Sequence, residues 1–293
     1  MRYVSRLTGE PIKFKNREAY NDHLKELRDK GLLKRERSRK TRPDTARDDE
    51  WKEAHSPLTA PATRFSREEV PEPKGHVRQK ITLIHPSRSR PSAARQCIYM
   101  WADYMSPYNE LEYILSLDVK DADKYRKVFI ELMGQMGMRA CIGANRNVVD
   151  AMNRAANLAT GDILIYVSDD FESFSNWDLA LQEAVTGDDW FLMVDDGIQK
   201  NVATLLIVSR KYYRRFGYLY YPEYKSMWGD NDATEVAKCL GKYQEAFHLL
   251  FKHNHHSIGG IGADGTTARH ENSETWSHGE NLFREREARG FDI

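Results

Sequence analysis

From Lys80 onward the chain alternates short apolar runs with segments of helical pattern, and this alternation restricts the fold more than any other feature. ITLIH (81–85), EYILSL (112–117), MRACIG (138–143) and DILIYVS (162–168) have the length and composition of strands, whereas AARQCIYMWADYM and DADKYRKVFIELMGQM between them carry apolar residues at helical spacing. Strand, helix, strand predicts a mostly parallel α/β sheet flanked by helices, because parallel neighbours need a crossover and the crossover helix must bury its apolar stripe. Ligands of such sheets bind at the carboxyl ends of the strands. A further strand, ATLLIVS (203–209), follows a loop at 195–200, and the last forty residues, with Gly259, Gly260, Gly262 and Gly265, are expected to be ordered but irregular.

The first 77 residues have a different texture. Asn16 can cap a short amphipathic helix through Tyr20, Leu24 and Leu27 that Gly31 ends, and residues 34 to 77 are rich in charge and proline, as in an extended arm. The division is therefore an N-terminal helical and extended arm, 1–77, and a catalytic domain, 78–293. Acidic and basic side chains number 44 each over the whole chain, yet residues 1–42 hold fourteen Lys or Arg against six Asp or Glu. That local excess suits phosphate contacts, as with DNA, or a docking arm for protein. Three cysteines, Cys97, Cys141 and Cys239, are too few for a disulfide framework and fit a reducing compartment. No apolar run nears the roughly 20 residues that span a bilayer, and the start has no signal-peptide character, so a cytoplasmic protein is expected.

The chemistry concentrates in GDILIYVSDDFE, an apolar strand that ends in Ser168, Asp169, Asp170 and Glu172. Adjacent carboxylates at a buried strand end repel one another unless they are solvated or neutralised by a cation. Hard divalent ions take oxygen ligands together with substrate phosphates, so a metal-diphosphate site with Mn²⁺ or Mg²⁺ is one reading. A solvated strand-to-loop turn is the other.

NRNVVDAMNRAANLATGDILIYVSDD resembles a stretch of the inverting, GT-A-fold, family-2-type glycosyltransferases, written N-x-G-x-x-x-A-x-N-x-A-x-x-x-A-x-G-D and followed by a strand and D-x-D. Asn145, Ala151, Asn153, Ala159, Gly161 and Asp162 fall on that pattern, and Asp170 falls on the last acid of the D-x-D. Asn147 stands where Gly is usual and Ser168 where the first acid is usual. ITLIHPSRSR is similar to the family's first strand and loop through Pro86 and Arg90, and EYILSLD to its second strand, which ends in an acid, here Asp118, that contacts the donor base. The resemblance implies a GT-A-type sheet, a nucleoside-diphosphate sugar with uridine favoured, and donor contacts from Pro86, Arg90, Asp118, Asn145, Asn153 and Asp169. It also implies a metal held by Asp170.

The segment 210–242 resembles the family's acceptor half, where an acidic motif opens a helix; here it reads Gly229, Asp230, Asn231, Asp232. This implies Asp230 as general base, with Asp232 as second choice. HLLFKHNHHSIGG places His248, His253, His255 and His256 close together, and its H-x-H is similar to the element that supplies a further metal ligand, which points to His255 and then His253. The tyrosines 218, 220, 221 and 224 with Trp228 suit sugar or base stacking, or a core. The expectation is an inverting, metal-dependent glycosyltransferase whose acceptor is a hydroxyl, with a hydroxymethylated base in DNA as one candidate. Two alternatives stay open. A nucleotidyltransferase would normally carry a Gly-rich loop after the first strand, and HPSRSRP has no glycine. A non-catalytic nucleotide- or nucleic-acid-binding module would have Asn147 and Ser168 as marks of a decayed site.

Overall fold

Each expected strand that lies in a well-described segment forms, and all of them join one sheet. The computed structural model describes residues 65–128, 138–255 and 271–293, the single residues 265 and 268, and the backbone of 2–4 and 11–13. The chain divides into two units, Met1–Thr59 and Ala60–Ile293. In the first, β1 (Arg2–Val4) pairs antiparallel with β2 (Pro11–Lys13), Tyr3 opposite Ile12. The helix expected at 16–31 and the arm from 34 to 64 lie outside the described residues.

The second unit contains β3 (Lys80–Pro86), β4 (Glu110–Asp118), β5 (Arg139–Gly143), β6 (Ile163–Tyr166), the short β7 (Phe171–Glu172), β8 (Phe191–Asp195), β9 (Ile207–Ser209), β10 (Tyr243–Leu250) and the short β11 (Lys252–His253). Its helices are α1 (Pro91–Asp103), α2 (Val148–Ala156), α3 (Trp177–Ala184), α4 (Arg210–Phe216), α5 (Gly229–Cys239) and α6 (Ser273–Ala288). Seven strands form the main sheet in the order β10-β8-β9-β6-β3-β4-β5. All neighbours are parallel except β9, which runs against both β6 and β8. This is a mostly parallel α/β sheet flanked by helices.

Helices cover both faces, which is why the strands read as unbroken apolar runs. On β6, Ile163 and Ile165 enter one core with Trp101, Trp177 and Phe251, while Leu164 enters the other with Val149, Met152 and Tyr212. The Gly-Asp pair before β6 pins its register at the far end from the carboxylates. A Cβ on Gly161 would lie 2.7 Å from the Lys80 carbonyl oxygen, and Asp162 exchanges bonds with Lys80, accepting from its N–H at 2.9 Å and donating its own N–H at 2.6 Å.

Four features were not foreseen from sequence. β8 and β10 form the sheet's second half, and the expected irregular tail holds the sixteen-residue α6. Asn272 caps α6 by accepting from the Thr275 N–H at 3.0 Å, but the helix buries only Gly279, Leu282, Phe283 and Arg286, too sparse a stripe to show as periodicity. Of the expected helix at 121–136, Ala122–Tyr125 is a 3-10 turn, residues 126–128 are α-helical as expected, and residues 129–137 lie outside the described residues. Finally, residues 65–70 lie against α1 and the loops near it: Phe65 N–H donates to Asp103, Arg67 to the Met105 carbonyl at 2.7 Å, and Tyr108 O–H to the Val70 carbonyl at 2.8 Å. Among the described residues no helix is long and apolar enough to cross a membrane.

Candidate functional site

The carboxyl ends of β3, β4 and β6 open into a cleft of about 390 Å³, and nine of the eleven residues singled out from sequence line it. Pro86 and Arg90 edge it after β3, followed by Asp118 after β4 and Asn145 after β5. Asp169, Asp170, Asp230, His253 and His255 complete the set.

The two adjacent acids have separate surroundings. Asp169 is almost buried and already partnered: His85 Nε2 lies 2.9 Å from Oδ1, and the Ser87 hydroxyl donates to both oxygens at 2.9 and 3.0 Å. Asp170 is more open to the cleft. Its Oδ1 accepts from the Ser168 hydroxyl, so the residue that departs from the D-x-D pattern supplies a donor where an acid would add repulsion.

The strand pair β7–β11 sets the geometry around Asp170. Phe171 and His253 are register partners and their rings stack at 4.2 Å, while Asn254 N–H donates to the Asp170 carbonyl at 2.9 Å. The His253 ring is thereby fixed with Nε2 at 3.4 Å from Asp170 Oδ2 and Nδ1 at 3.9 Å from Asp196 Oδ2. Asp196, nearly buried just after β8, is itself held: Oδ1 accepts the N–H groups of Ile198 and Gln199 at 2.7 and 2.6 Å, and Oδ2 accepts the Thr204 hydroxyl. Burial opposes charge at all three groups. The mutual pairing outweighs it, pushing His253 up to about 9 and holding both carboxyls below their usual range, Asp170 with further help from Ser168 and Arg90. Sequence reading passed over Asp196, although FLMVDD carries the same signature as ILIYVSDD, an apolar strand ending in acids.

α5 begins at Gly229, and Asp230 in its first turn lines the same cleft. Burial pushes its carboxyl up from the usual range, offset only partly by its own N–H and that of Asn231. Asp232, two residues on, lies elsewhere. It is nearly fully buried between Arg286 Nε at 2.7 Å and the Tyr224 hydroxyl at 3.1 Å, away from the cleft lining. Asn153 is also outside the lining: its amide donates to the Tyr220 carbonyl at 2.7 Å and accepts from the N–H groups of Leu219 and Tyr220 at 2.9 and 3.3 Å, fixing the loop after α4.

At the end of β4, Asp118 Oδ1 caps its own turn by accepting the Lys120 N–H at 2.9 Å. Asn145 donates to the Leu117 carbonyl at 3.2 Å, and its buried Oδ1 has no partner among the described residues. Asn147, in place of the usual Gly, caps α2 by accepting the Asp150 N–H at 2.9 Å. His255 lies with its ring 5.1 Å from that of His253 and Nε2 3.2 Å from Glu271 Oε1. His248 is exposed on β10, and His256 lies outside the described residues. Among the described residues no three His, Cys, Asp or Glu side chains could hold a metal by themselves. Asp170, and His253 once its imidazole gives up the proton it holds in the pair, would supply an oxygen and a nitrogen donor 3.4 Å apart, a set that fits Mn²⁺ when substrate phosphates supply the remaining ligands.

No protein-family model and no curated protein sequence matches the chain. Among solved structures the chain is similar in fold to S. aureus TarS, at 12% identity and a TM-score of 0.48, over 59% of this chain and 59% of that one. TarS has also been solved with UDP and with UDP-GlcNAc. The mannosyltransferase PcManGT of Pyrobaculum calidifontis, in complex with GDP-Man and Mn²⁺, aligns at 14% identity and a TM-score of 0.48 over 71% of this chain and 62% of that one. Glucosyl-3-phosphoglycerate synthase of Mycobacterium tuberculosis, solved with Mn²⁺, UDP-Glc and phosphoglyceric acid, aligns at 11% identity and a TM-score of 0.44 over 62% and 75%. The chain covers less than two thirds of the TarS and mannosyltransferase chains.

Proposed function

We propose that the chain is a metal-dependent glycosyltransferase that moves a sugar from a nucleoside diphosphate, UDP favoured, to a hydroxyl acceptor with inversion. The observation that carries this reading is what one cleft brings together: a carboxylate and an imidazole, Asp170 and His253, and the buried carboxylate Asp230 at a helix start. Arg90, Asp118 and Asn145 would receive the nucleotide, Asp118 through its second oxygen and Asn145 through its unpartnered one.

Asp170 and His253, with His255 nearby, would hold the cation. When bound, a divalent ion supplies neutralisation of the charge that develops on the departing diphosphate. Asp230 takes the proton of the acceptor hydroxyl as that oxygen bonds to the anomeric carbon, and the bond from that carbon to the diphosphate oxygen breaks with its electron pair leaving on the diphosphate. One displacement inverts the anomeric centre.

Ser168 and Asn147 have roles in this arrangement, as donor to Asp170 and cap of α2, which favours an intact site over a decayed one. The basic excess in residues 1–42 makes a hydroxymethylated base in DNA the acceptor to offer first, and the sparse free cysteines suit the cytoplasm. The test is nucleoside diphosphate release from UDP-, GDP-, ADP- and TDP-sugars with Mn²⁺ or Mg²⁺, for wild type and Asp170→Asn, with and without hydroxymethylated DNA. Metal-dependent release that the variant loses supports the reading, and stimulation by DNA identifies the acceptor class. Absence of both release and nucleotide binding would overturn it.

A further inference from the structure

We propose that Tyr166 and Tyr220 form the subsite that seats the transferred sugar and sets which sugar is accepted; this rests on the nucleotide-sugar reading above. Both residues line the cleft, and their rings meet edge to face at 5.9 Å and 63°. Among the described residues neither phenol oxygen has a hydrogen-bond partner, whereas both backbones are held. Tyr166 N–H donates to the Leu206 carbonyl at 2.9 Å, and the Tyr220 N–H and carbonyl are both held by Asn153. Two tyrosines with held backbones therefore line the cleft, and among the described residues nothing satisfies either hydroxyl.

Their position matches the place a sugar must occupy. Tyr166 ends β6, the strand that leads to Asp170, and the Tyr220 ring rests on Gly229, the residue before Asp230, where a Cβ would approach Tyr220 Cδ2 to 3.1 Å. An anomeric carbon attached to a diphosphate at Asp170 and attacked by an oxygen at Asp230 has to lie between those two residues. Burial and the nearby carboxylates of Asp170 and Asp230 push the Tyr166 phenol up, and burial and Asp230 do the same for Tyr220, so both stay protonated and act as donors. A corner made of one ring face and one ring edge, each with an O–H donor, suits the alternating C–H and hydroxyl surface of a pyranose.

The two roles separate in binding to the bare nucleotide and to the full donor. With Mn²⁺ present, UDP, UDP-glucose, UDP-galactose, UDP-N-acetylglucosamine and GDP-mannose are titrated calorimetrically into wild type, Tyr166→Phe and Tyr220→Phe. Phenylalanine keeps the ring packing, so the fold is retained. The expected result is a loss of about 3- to 10-fold in affinity for the preferred nucleotide sugar, the equivalent of one hydrogen bond. Affinity for the matching nucleoside diphosphate stays within about two-fold, because the bare nucleotide forms no such bond. Equal losses for nucleotide and nucleotide sugar, or no loss for either, overturn the sugar subsite and leave the transferase reading standing. Failure of the wild type to bind any nucleotide overturns both.

Discussion

His253 Nε2 sits 3.4 Å from Asp170 Oδ2 while its Nδ1 faces Asp196 Oδ2 at 3.9 Å, so one imidazole joins the end of β6 to the end of β8. The link is made by backbone pairing: β11 aligns His253 with Phe171, the residue after Asp170, and His253 N–H donates to the Asp196 carbonyl at 3.0 Å. Whatever binds at Asp170 is therefore sensed by a carboxylate that does not contact it.

Asp196 is accordingly expected to act through His253. Asp196→Asn keeps the shape but removes the charge that orients the ring, and such outer partners typically contribute 10- to 100-fold to metal affinity. Mn²⁺ binding followed by electron paramagnetic resonance should weaken by about that factor in Asp196→Asn, with an unfolding midpoint close to wild type. Undiminished Mn²⁺ affinity would make the Asp196 contact purely structural.

Asp230 is expected to set the acid limb of the pH profile. A general base works deprotonated, so turnover falls as pH drops through its pKa; because burial raises the Asp230 carboxyl, that limb should lie above the range near 4 of an ordinary carboxylate. Asp230→Asn should lower kcat by about 10²- to 10⁴-fold and remove the limb from the residual rate, while nucleotide binding persists. A limb that survives unshifted in Asp230→Asn belongs to another group.

Asp232 is expected to matter for stability instead. Its pair with Arg286 is 2.7 Å long and nearly fully buried at both ends, and Arg286 also stacks 3.7 Å from the Tyr221 ring centroid. Removing one partner of a buried pair leaves an uncompensated charge, at a cost of about 3–5 kcal/mol. Asp232→Asn should show that loss in chemical denaturation while the folded fraction still binds nucleotide; a stable but inactive variant would return Asp232 to the list of bases.

These contrasts mark what the sequence made legible. The parallel strands and their carboxyl-end acids could be read because burial on both faces forces continuous apolar runs, and a charged residue that ends such a run stands out. Asp230 and Asp232 could not be told apart. Both lie in the first turn of one helix, and which of them meets Arg286 depends on α6, whose single-arginine anchor has no periodic signature. Asp196 and Tyr166 were obscured for a related reason: the contact of Asp196 with His253 arises from β8 meeting β11, and the setting of Tyr166 beside Tyr220, which already stood among the stacking candidates, from a loop pinned by Asn153, contacts between segments far apart in the chain. The same holds for Gly161 and Asp162, which entered as part of a family pattern and lie at the opposite end of the sheet as a register lock.

The contact of α6 with the cleft rim rests on one glycine. Gly279 passes so close to the loop before α5 that a Cβ there would lie 2.3 Å from the Met227 carbonyl oxygen and 3.0 Å from its carbon. These are backbone atoms, which cannot swing aside as a flexible side chain would, so Gly279→Ala must separate the helix from the loop. Overpacking of this kind costs about 1–3 kcal/mol. The loop carries Ser226 and Met227 into the cleft beside Asp230, and Trp228, in the left-handed region at φ 72°, packs against Trp276 and Phe283 of α6. Displacement should therefore reach the end proposed for the acceptor and spare the end proposed for the nucleotide, which is built on β3, β4 and β5. Steady-state kinetics should show KM for the acceptor rising several-fold in Gly279→Ala, with calorimetric affinity for the nucleoside diphosphate unchanged. A parallel fall in both would mean that α6 supports the whole cleft and not its acceptor rim alone.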